Sequence, residues 1–374
     1  LGFKIKKIMK NSKNNIKQNN NLRALNSFKS TVFRTICFLI ITIGLSSCNS
    51  SDDDDIPTNK ELVVGKWEVI SGNFLLQNAK FLYINKDNTM DNLNQDQLGF
   101  KQYWQSLIIV TENQIELTGG GSILINYTVQ DDKLTLQPVS GGEVTLIRAI
   151  TPPETDAWIK TLNILEEGDA PWDDGVDIAF DGVHLLGWNR DDSKIMKVNP
   201  VTMAVEGSIP TTLTAYAVEV EKSDSRFRQF FQSSTLSKFD SYVYLFNEKY
   251  YESIELGRGI NGIASIEPEH LWVGSQQEKK LFKYKSNGAF SPGQILQTIP
   301  LEIYPYGLDY QNGFLYIASS NYIYKCQTSP NFKAIESYKL PDNWIQGVAF
   351  DGTNFWLSIQ SYNDQKYKLV KTDL

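Results

Sequence analysis

The 374-residue chain is poor in the residues that most reactive sites use. It has three cysteines, Cys37, Cys48 and Cys326, and two histidines, His184 and His270. So few cysteines exclude a disulfide framework, and three Cys with two His exclude the common Cys/His zinc modules. They also exclude most His-dependent catalysis. The apolar run Ile36–Leu45 is too short for a permanent membrane-spanning helix. No Gly-rich loop sits between a strand and a helix to cradle phosphate, and no Asp-x-Asp-x-Asp-Gly loop offers calcium ligands. What is present points to a globular, β-rich protein: 41% hydrophobic residues, 18 Tyr, 19 Phe and 8 Trp. The length suffices for two ordinary domains.

Charge is distributed unevenly. Residues 1–47 carry nine basic residues and no acidic one, which leaves 27 basic against 43 acidic residues in the rest. An acidic body does not attract phosphate backbones, so the expected partners do not include nucleic acid.

The basic stretch precedes the apolar run and then Leu45-Ser46-Ser47-Cys48. A basic region, about ten apolar residues and a small-residue site form the pattern of a secretory signal peptide. The final tetrad resembles the lipobox of bacterial lipoproteins. That resemblance implies cleavage before Cys48 and a covalent lipid on its thiol, the only cofactor-like group expected; otherwise the cofactors are none. The following Asn49-Ser50-Ser51-Asp52-Asp53-Asp54-Asp55 reads as a solvated tether, because adjacent like charges repel. It also resembles the acidic signal of surface-exposed lipoproteins. Together these imply an outer-membrane protein held to the membrane by its lipid anchor and exposed at the cell surface.

From Leu62 to Ile150 the sequence alternates in the manner of β-strands: Leu62–Ile70, Lys80–Asn85, Leu107–Thr111, Gln114–Thr118, Ile123–Gln130, Lys133–Gln137 and Glu143–Ile150. A seven-strand meander of this size closes into a small barrel or half-barrel to remove its edges. Gly65-Lys66-Trp67 opens the first strand and Arg148 lies late in the last. These residues resemble the lipocalin-like domains of bacterial lipoproteins. The resemblance implies structural roles for Gly65, Trp67 and Arg148, with the guanidinium across the indole.

The remainder repeats. Gly175-Val-Asp-Ile-Ala-Phe-Asp-Gly, Gly262-Ile-Ala-Ser-Ile, Gly307-Leu-Asp-Tyr-Gln-Asn-Gly and Gly347-Val-Ala-Phe-Asp-Gly recur, with a degenerate copy at Ala215–Val218. Five units with a period of about 40–46 residues read as propeller blades. The last unit lacks a fourth strand, and Ile159–Leu165 has the character of a fourth strand without a blade. The expectation is that Ile159–Leu165 pairs beside Tyr367–Lys371 and closes the ring. The repeats resemble the propellers that include streptogramin lyase and glutamine cyclotransferase relatives. No residue set matches either enzyme's catalytic motif.

The expected fold class is therefore all-β: a small lipocalin-like barrel or half-barrel plus a five-bladed propeller closed by an N-terminal strand. The domain reading is 1–47 signal peptide, 48–60 tether, 61–150 β-domain, 151–158 linker and 159–374 propeller. Segments entering the inner strands converge on one mouth. They supply Trp172, Asp174, Arg258, Asn261, Tyr304, Tyr306, Asn343, Trp344 and Gln346. Aromatic faces with amide, carboxylate and guanidinium groups suit a glycan, a peptide or a partner protein. The same residues also suit the packing of loop tips. Expected catalytic and metal residues are none, and the expected role is binding. The alternative is a hydrolase or lyase using carboxylates among Asp173, Asp174 and Asp342.

Overall fold

The computed structural model describes residues 58–72, 79–118, 122–139, 142–172, 177–210, 215–221, 226–231, 239–245, 248–254, 259–267, 270–285 and 293–374. The expected leader, Cys48 and the acidic tether lie outside them. Pro57–Leu374 is one compact unit. No helix among the described residues is long and apolar enough to cross a membrane.

A short helix α1 (Asn59–Val63) opens the unit. Thr58 and Glu61 cap it reciprocally: the Glu61 amide donates to Thr58 Oγ1 and the Thr58 amide to Glu61 Oε2. Eight strands follow: β1 (Gly65–Ser71), β2 (Ala79–Ile84), β3 (Thr89–Gln95), β4 (Lys101–Val110), β5 (Gln114–Thr118), β6 (Ile123–Gln130), β7 (Lys133–Pro138) and β8 (Val144–Arg148). Each pairs with the next, and β1 also pairs with β8, so the sheet is a closed barrel without edges. Every strand sends a large apolar side chain inward, among them Trp67, Leu82, Met90, Ile108, Ile115, Ile125, Leu134 and Leu146. The core therefore fills the barrel.

Two features of this domain depart from expectation. There are eight strands rather than seven, and β4 begins six residues earlier than Leu107. The overlooked strand β3 reads Thr-Met-Asp-Asn-Leu-Asn-Gln, rich in residues that strands disfavour. Burial would penalise its Asp91, but Asn85 Nδ2 donates to this carboxylate at 2.8 Å, Gln105 Nε2 at 2.9 Å and the Tyr103 hydroxyl at 3.0 Å. Where β1 pairs with β8 the Arg148 guanidinium lies 3.9 Å over the Trp67 ring. It donates to the carbonyls of Val64 and Leu62, while Trp67 Nε1 donates to the Val63 carbonyl at 2.8 Å. Gly65 has φ +148°, and a Cβ there would fall 1.9 Å from Arg148 Nη1. Only glycine lets the guanidinium approach this closely.

A second helix α2 (Thr155–Trp158) leads to β9 (Lys160–Thr161) and β10 (Ile164–Asp169). Four sheets then follow in chain order. They are β11–β14 (Ala179–Phe180, Leu185–Asn189, Lys194–Val198, Val205–Pro210), β15–β18 (Ala215–Glu221, Arg226–Phe231, Phe239–Leu245, Glu248–Ile254), β19–β22 (Ile260–Glu267, His270–Ser275, Lys280–Lys285, Gln294–Pro300) and β23–β26 (Gly307–Gln311, Phe314–Ser319, Tyr322–Gln327, Lys333–Lys339). The last sheet holds β27 (Asn343–Phe350), β28 (Phe355–Ser361), β29 (Tyr367–Thr372) and β10. The inner strands form a cycle: β11 beside β15, β15 beside β19, β19 beside β23, β23 beside β27, and β27 beside β11. The ring is a propeller.

Ring closure differs in detail from the sequence expectation. The strand beside β29 is Ile164–Asp169, not Ile159–Leu165. The earlier residues go elsewhere: β9 runs parallel to β26, with Lys160 opposite Tyr338 and Thr161 opposite Lys339. Four sheets are thus four-stranded, as expected of each blade, whereas the β23–β26 sheet has five strands. One continuous segment, Lys160–Asp169, therefore covers two strand edges. Charge pairing reinforces both contacts, Lys160 with Glu336 on β26, and Glu166 and Glu167 with Lys371 and Lys368 on β29.

Barrel and propeller share a hydrophobic core. Phe100, in the loop between β3 and β4, stands edge-on to Tyr324 at 4.9 Å and near Phe332. The Ala334 amide donates to the Leu98 carbonyl at 2.8 Å, and the Tyr322 hydroxyl to the Tyr103 carbonyl at 2.7 Å. Gly99, at φ +87°, lies so near the Ala334 carbonyl that a Cβ would sit 2.5 Å from it. The barrel loop thereby docks on the outer strand of one blade.

Candidate binding face of the propeller

Adjacent strands in a blade run antiparallel. The segment entering each first strand therefore lies at the same end as the turn between the second and third strands. The described part of this end gathers around β23 and β27. The Ile345 amide donates to the Ser320 carbonyl at 2.6 Å, tying the entry of β27 to the β24–β25 turn. Asp342 takes φ +58°, which turns the chain sharply into β27, and its carbonyl accepts from the Tyr362 amide at 3.0 Å.

These constraints bring Tyr306 and Trp344 together, ring centroids 5.3 Å apart and planes at 82°. This edge-to-face arrangement sets the positive rim of one ring against the negative face of the other. Gln276 Nε2 approaches the Tyr306 hydroxyl at 3.4 Å. Burial raises the Tyr306 phenol above its ordinary pKa, and the neighbouring Tyr304 and Tyr362 phenols add to the rise. At neutral pH it is a hydroxyl that can donate. Tyr304 and Tyr362 are each about half exposed, 45% and 48%, and Lys279 Nζ lies 4.2 Å from the Tyr304 ring centroid.

The expected site residues divide accordingly. Tyr304, Tyr306 and Trp344 come together. Asn343 sits at the start of β27, its Nδ2 donating to the Pro341 carbonyl, and Asn261 lies half-buried on β19. Gln346 is buried, and its Oε1 has no hydrogen-bond partner. Asp174 and Arg258 lie outside the described residues, as does Asp173.

Trp172 is corrected outright. It is 3% exposed and belongs to the core between the first and last blades. Its Nε1 donates to Ser358 Oγ at 3.2 Å, and its ring lies against Gly187, where a Cβ would clash at 2.4 Å. Trp172 seals the seam of the ring and presents no face to a ligand.

Three contributors lie outside the expected binding set: Gln276, Lys279 and Tyr362. The detectable signal was positional, since the turns between second and third strands must share the end of the entry segments.

A fourth residue outside that set lies where the inner strands meet. Asp177 is buried, and its carboxylate accepts from four backbone amides: Ile178 at 3.0 Å, Ile263 at 3.1 Å, Leu308 at 3.3 Å and Val348 at 3.4 Å. Ile178 immediately precedes β11, and the other three amides lie within the inner strands β19, β23 and β27. Burial pushes its carboxyl well above the usual range and Glu219 adds to that, while the amides pull the other way. Glu219 itself bridges the Val220 and Ser265 amides. Asp177 acts as a structural pin rather than a reactive group, because solvent does not reach it. Both histidines lie at strand entries and pair with local carboxylates, His184 with Asp181 and Glu206 and His270 with Glu267. Among the described residues no group of three or more His, Cys, Asp or Glu is placed to hold a metal ion.

No family model matches the chain, and no curated protein matches it. Solved structures do. Glutaminyl cyclase from Myxococcus xanthus is 10% identical, with a TM-score of 0.44 over 57% of this chain and 95% of that one. The PQQ-bound aldose sugar dehydrogenase of Streptomyces coelicolor is 11% identical, with a TM-score of 0.38 over 57% and 97%. The WD40 β-propeller domain of Doa1 is 12% identical, with a TM-score of 0.35 over 83% and 93%.

Proposed function

We propose that this protein is a membrane-anchored binding module that presents the Tyr304–Tyr306–Trp344 face to a glycan. The observation that carries this reading is the Tyr306–Trp344 pair, flanked by exposed phenols and the Gln276 amide. Aromatic surface covers the C–H faces of a sugar ring, while phenol and amide groups meet its hydroxyls. The face is held by strand entries and a ring of sheets, so little ordering accompanies binding. The lipobox-like Leu45–Cys48 and the acidic tether support the anchored part of the proposal.

Glycan-array binding with residues 57–374 tests the face. Trp344→Ala and Tyr306→Ala should each weaken binding at least tenfold, and binding unchanged in both removes the site. Lipid labelling of the full chain tests the anchor: Cys48→Ala should abolish it, and labelling that persists refutes lipidation at that residue.

A further inference from the structure

The outer surface of the barrel is apolar on one side. Burial alternates along the second half of β4, with Ile108 and Val110 buried while Leu107 and Ile109 are 62% and 52% exposed. Ile109 lies opposite Glu116 of β5, and Glu116 opposite Leu124 of β6. Leu124 and its neighbour Ile123 are both well exposed, and Val139, whose amide donates to the Leu124 carbonyl, is 76% exposed. Single exposed aliphatic residues are ordinary on soluble proteins, whereas a group drawn from β4, β6 and the end of β7, with Glu116 of β5 between, marks a contact surface.

We propose that this face, Leu107–Ile109–Leu124–Val139, rests on the surface of a lipid bilayer. The inference rests on the anchored reading above. The chain enters the barrel through α1, which packs against β6, the strand that carries Leu124. Cys48 lies ten residues before Thr58, a reach of at most about 35 Å when fully extended. A lipid there keeps the barrel within that distance of the membrane. Glu116, in the middle of the face, takes a hydrogen bond from Ser122 Oγ at 2.5 Å. Its charge confines the contact to the headgroup boundary, where aliphatic side chains reach about 5–10 Å inward. The excess of acidic over basic residues in the body favours zwitterionic over anionic lipid.

Residues 57–374, a compact unit without Cys48, would be mixed with phosphatidylcholine–phosphatidylethanolamine vesicles and the bound fraction read by flotation. The unit should float, and the triple variant Leu107→Ser, Ile109→Ser, Leu124→Ser should lose at least tenfold in partitioning while keeping its circular dichroism. Should that variant misfold, Val139→Asp, at a turn, should lose severalfold. Absence of flotation, or undiminished flotation of a folded variant, overturns the proposal. So does a dimer in sedimentation that the same substitutions dissolve, which would assign the face to a second copy. Since the fragment lacks Cys48, its behaviour is read separately from lipid labelling of the full chain.

Discussion

Removing the Asp177 carboxylate should loosen the whole propeller, because one side chain collects amides from the inner-strand segments of four blades. In Asp177→Ala the amides of Ile178, Ile263, Leu308 and Val348 lose their acceptor inside a buried site. A stranded buried donor costs about 1–3 kcal/mol. Counting only the two shortest bonds gives a loss of about 2–6 kcal/mol, a large part of the roughly 5–15 kcal/mol that holds a domain folded. Asp177→Asn keeps one acceptor oxygen and should lose less. The Asn variant also isolates the titration. Burial raises the folded-state pKa of Asp177, so the folded protein keeps this proton to higher pH than the unfolded chain does. The associated stability is complete below about pH 4, the unfolded range, and is lost as pH rises through the folded pKa. Wild type should therefore lose ground to Asp177→Asn as pH increases above 4, by at most about 1.4 kcal/mol per pH unit. Urea unfolding of residues 57–374 at several pH values, followed by tryptophan fluorescence, measures both effects. An unchanged midpoint in Asp177→Ala refutes the pin. A stability advantage of wild type over Asp177→Asn that grows with pH refutes the dominance of burial over the four amides.

Three further outcomes follow from the packing. Arg148→Ala should cost about 2–4 kcal/mol, from the lost indole stack and the carbonyls left without a donor, and Arg148→Lys should not restore it because a point charge lacks the planar fork; thermal unfolding checks this. Phe100→Ala should cost about 3–5 kcal/mol and split calorimetric unfolding into barrel and propeller transitions, whereas one sharp transition at the wild-type temperature would deny the shared core. Burial pushes the Cys326 thiol well above its ordinary pKa, so in residues 57–374 it should resist a disulfide reagent when folded and react at once in denaturant.

Much of the architecture was legible because strand patterning is local. The phrases at Gly262, Gly307 and Gly347 mark inner strands that the structure contains, and Asp-Gly and Asn-Gly turns punctuate the blades. Strand β3 was not legible, since Asp91 and Asn92 lower its local preference and the partners of Asp91 come from β4 and from the turn after β2. The closing segment was found but its register was misplaced, because local β character cannot distinguish pairing with β26 from pairing with β29. Of the candidate site, Tyr306 and Trp344 were legible as aromatic entry residues. Trp172 carried the same signal and had the opposite fate, since only the neighbouring Gly187 opens a slot for its ring between two blades.

Sequence by itself determined that this protein is all-β, that its second part repeats, and that its body is acidic and preceded by a basic stretch and an apolar run. These are properties of composition, spacing and order, which the chain carries at every stage of folding. Only the tertiary structure decided which edge each part of the closing segment covers, which aromatics reach solvent and which carboxylate pins the blades. Those outcomes depend on contacts between residues more than a hundred positions apart, such as Asp177 with Leu308 and Trp172 with Ser358, and no local signal encodes them.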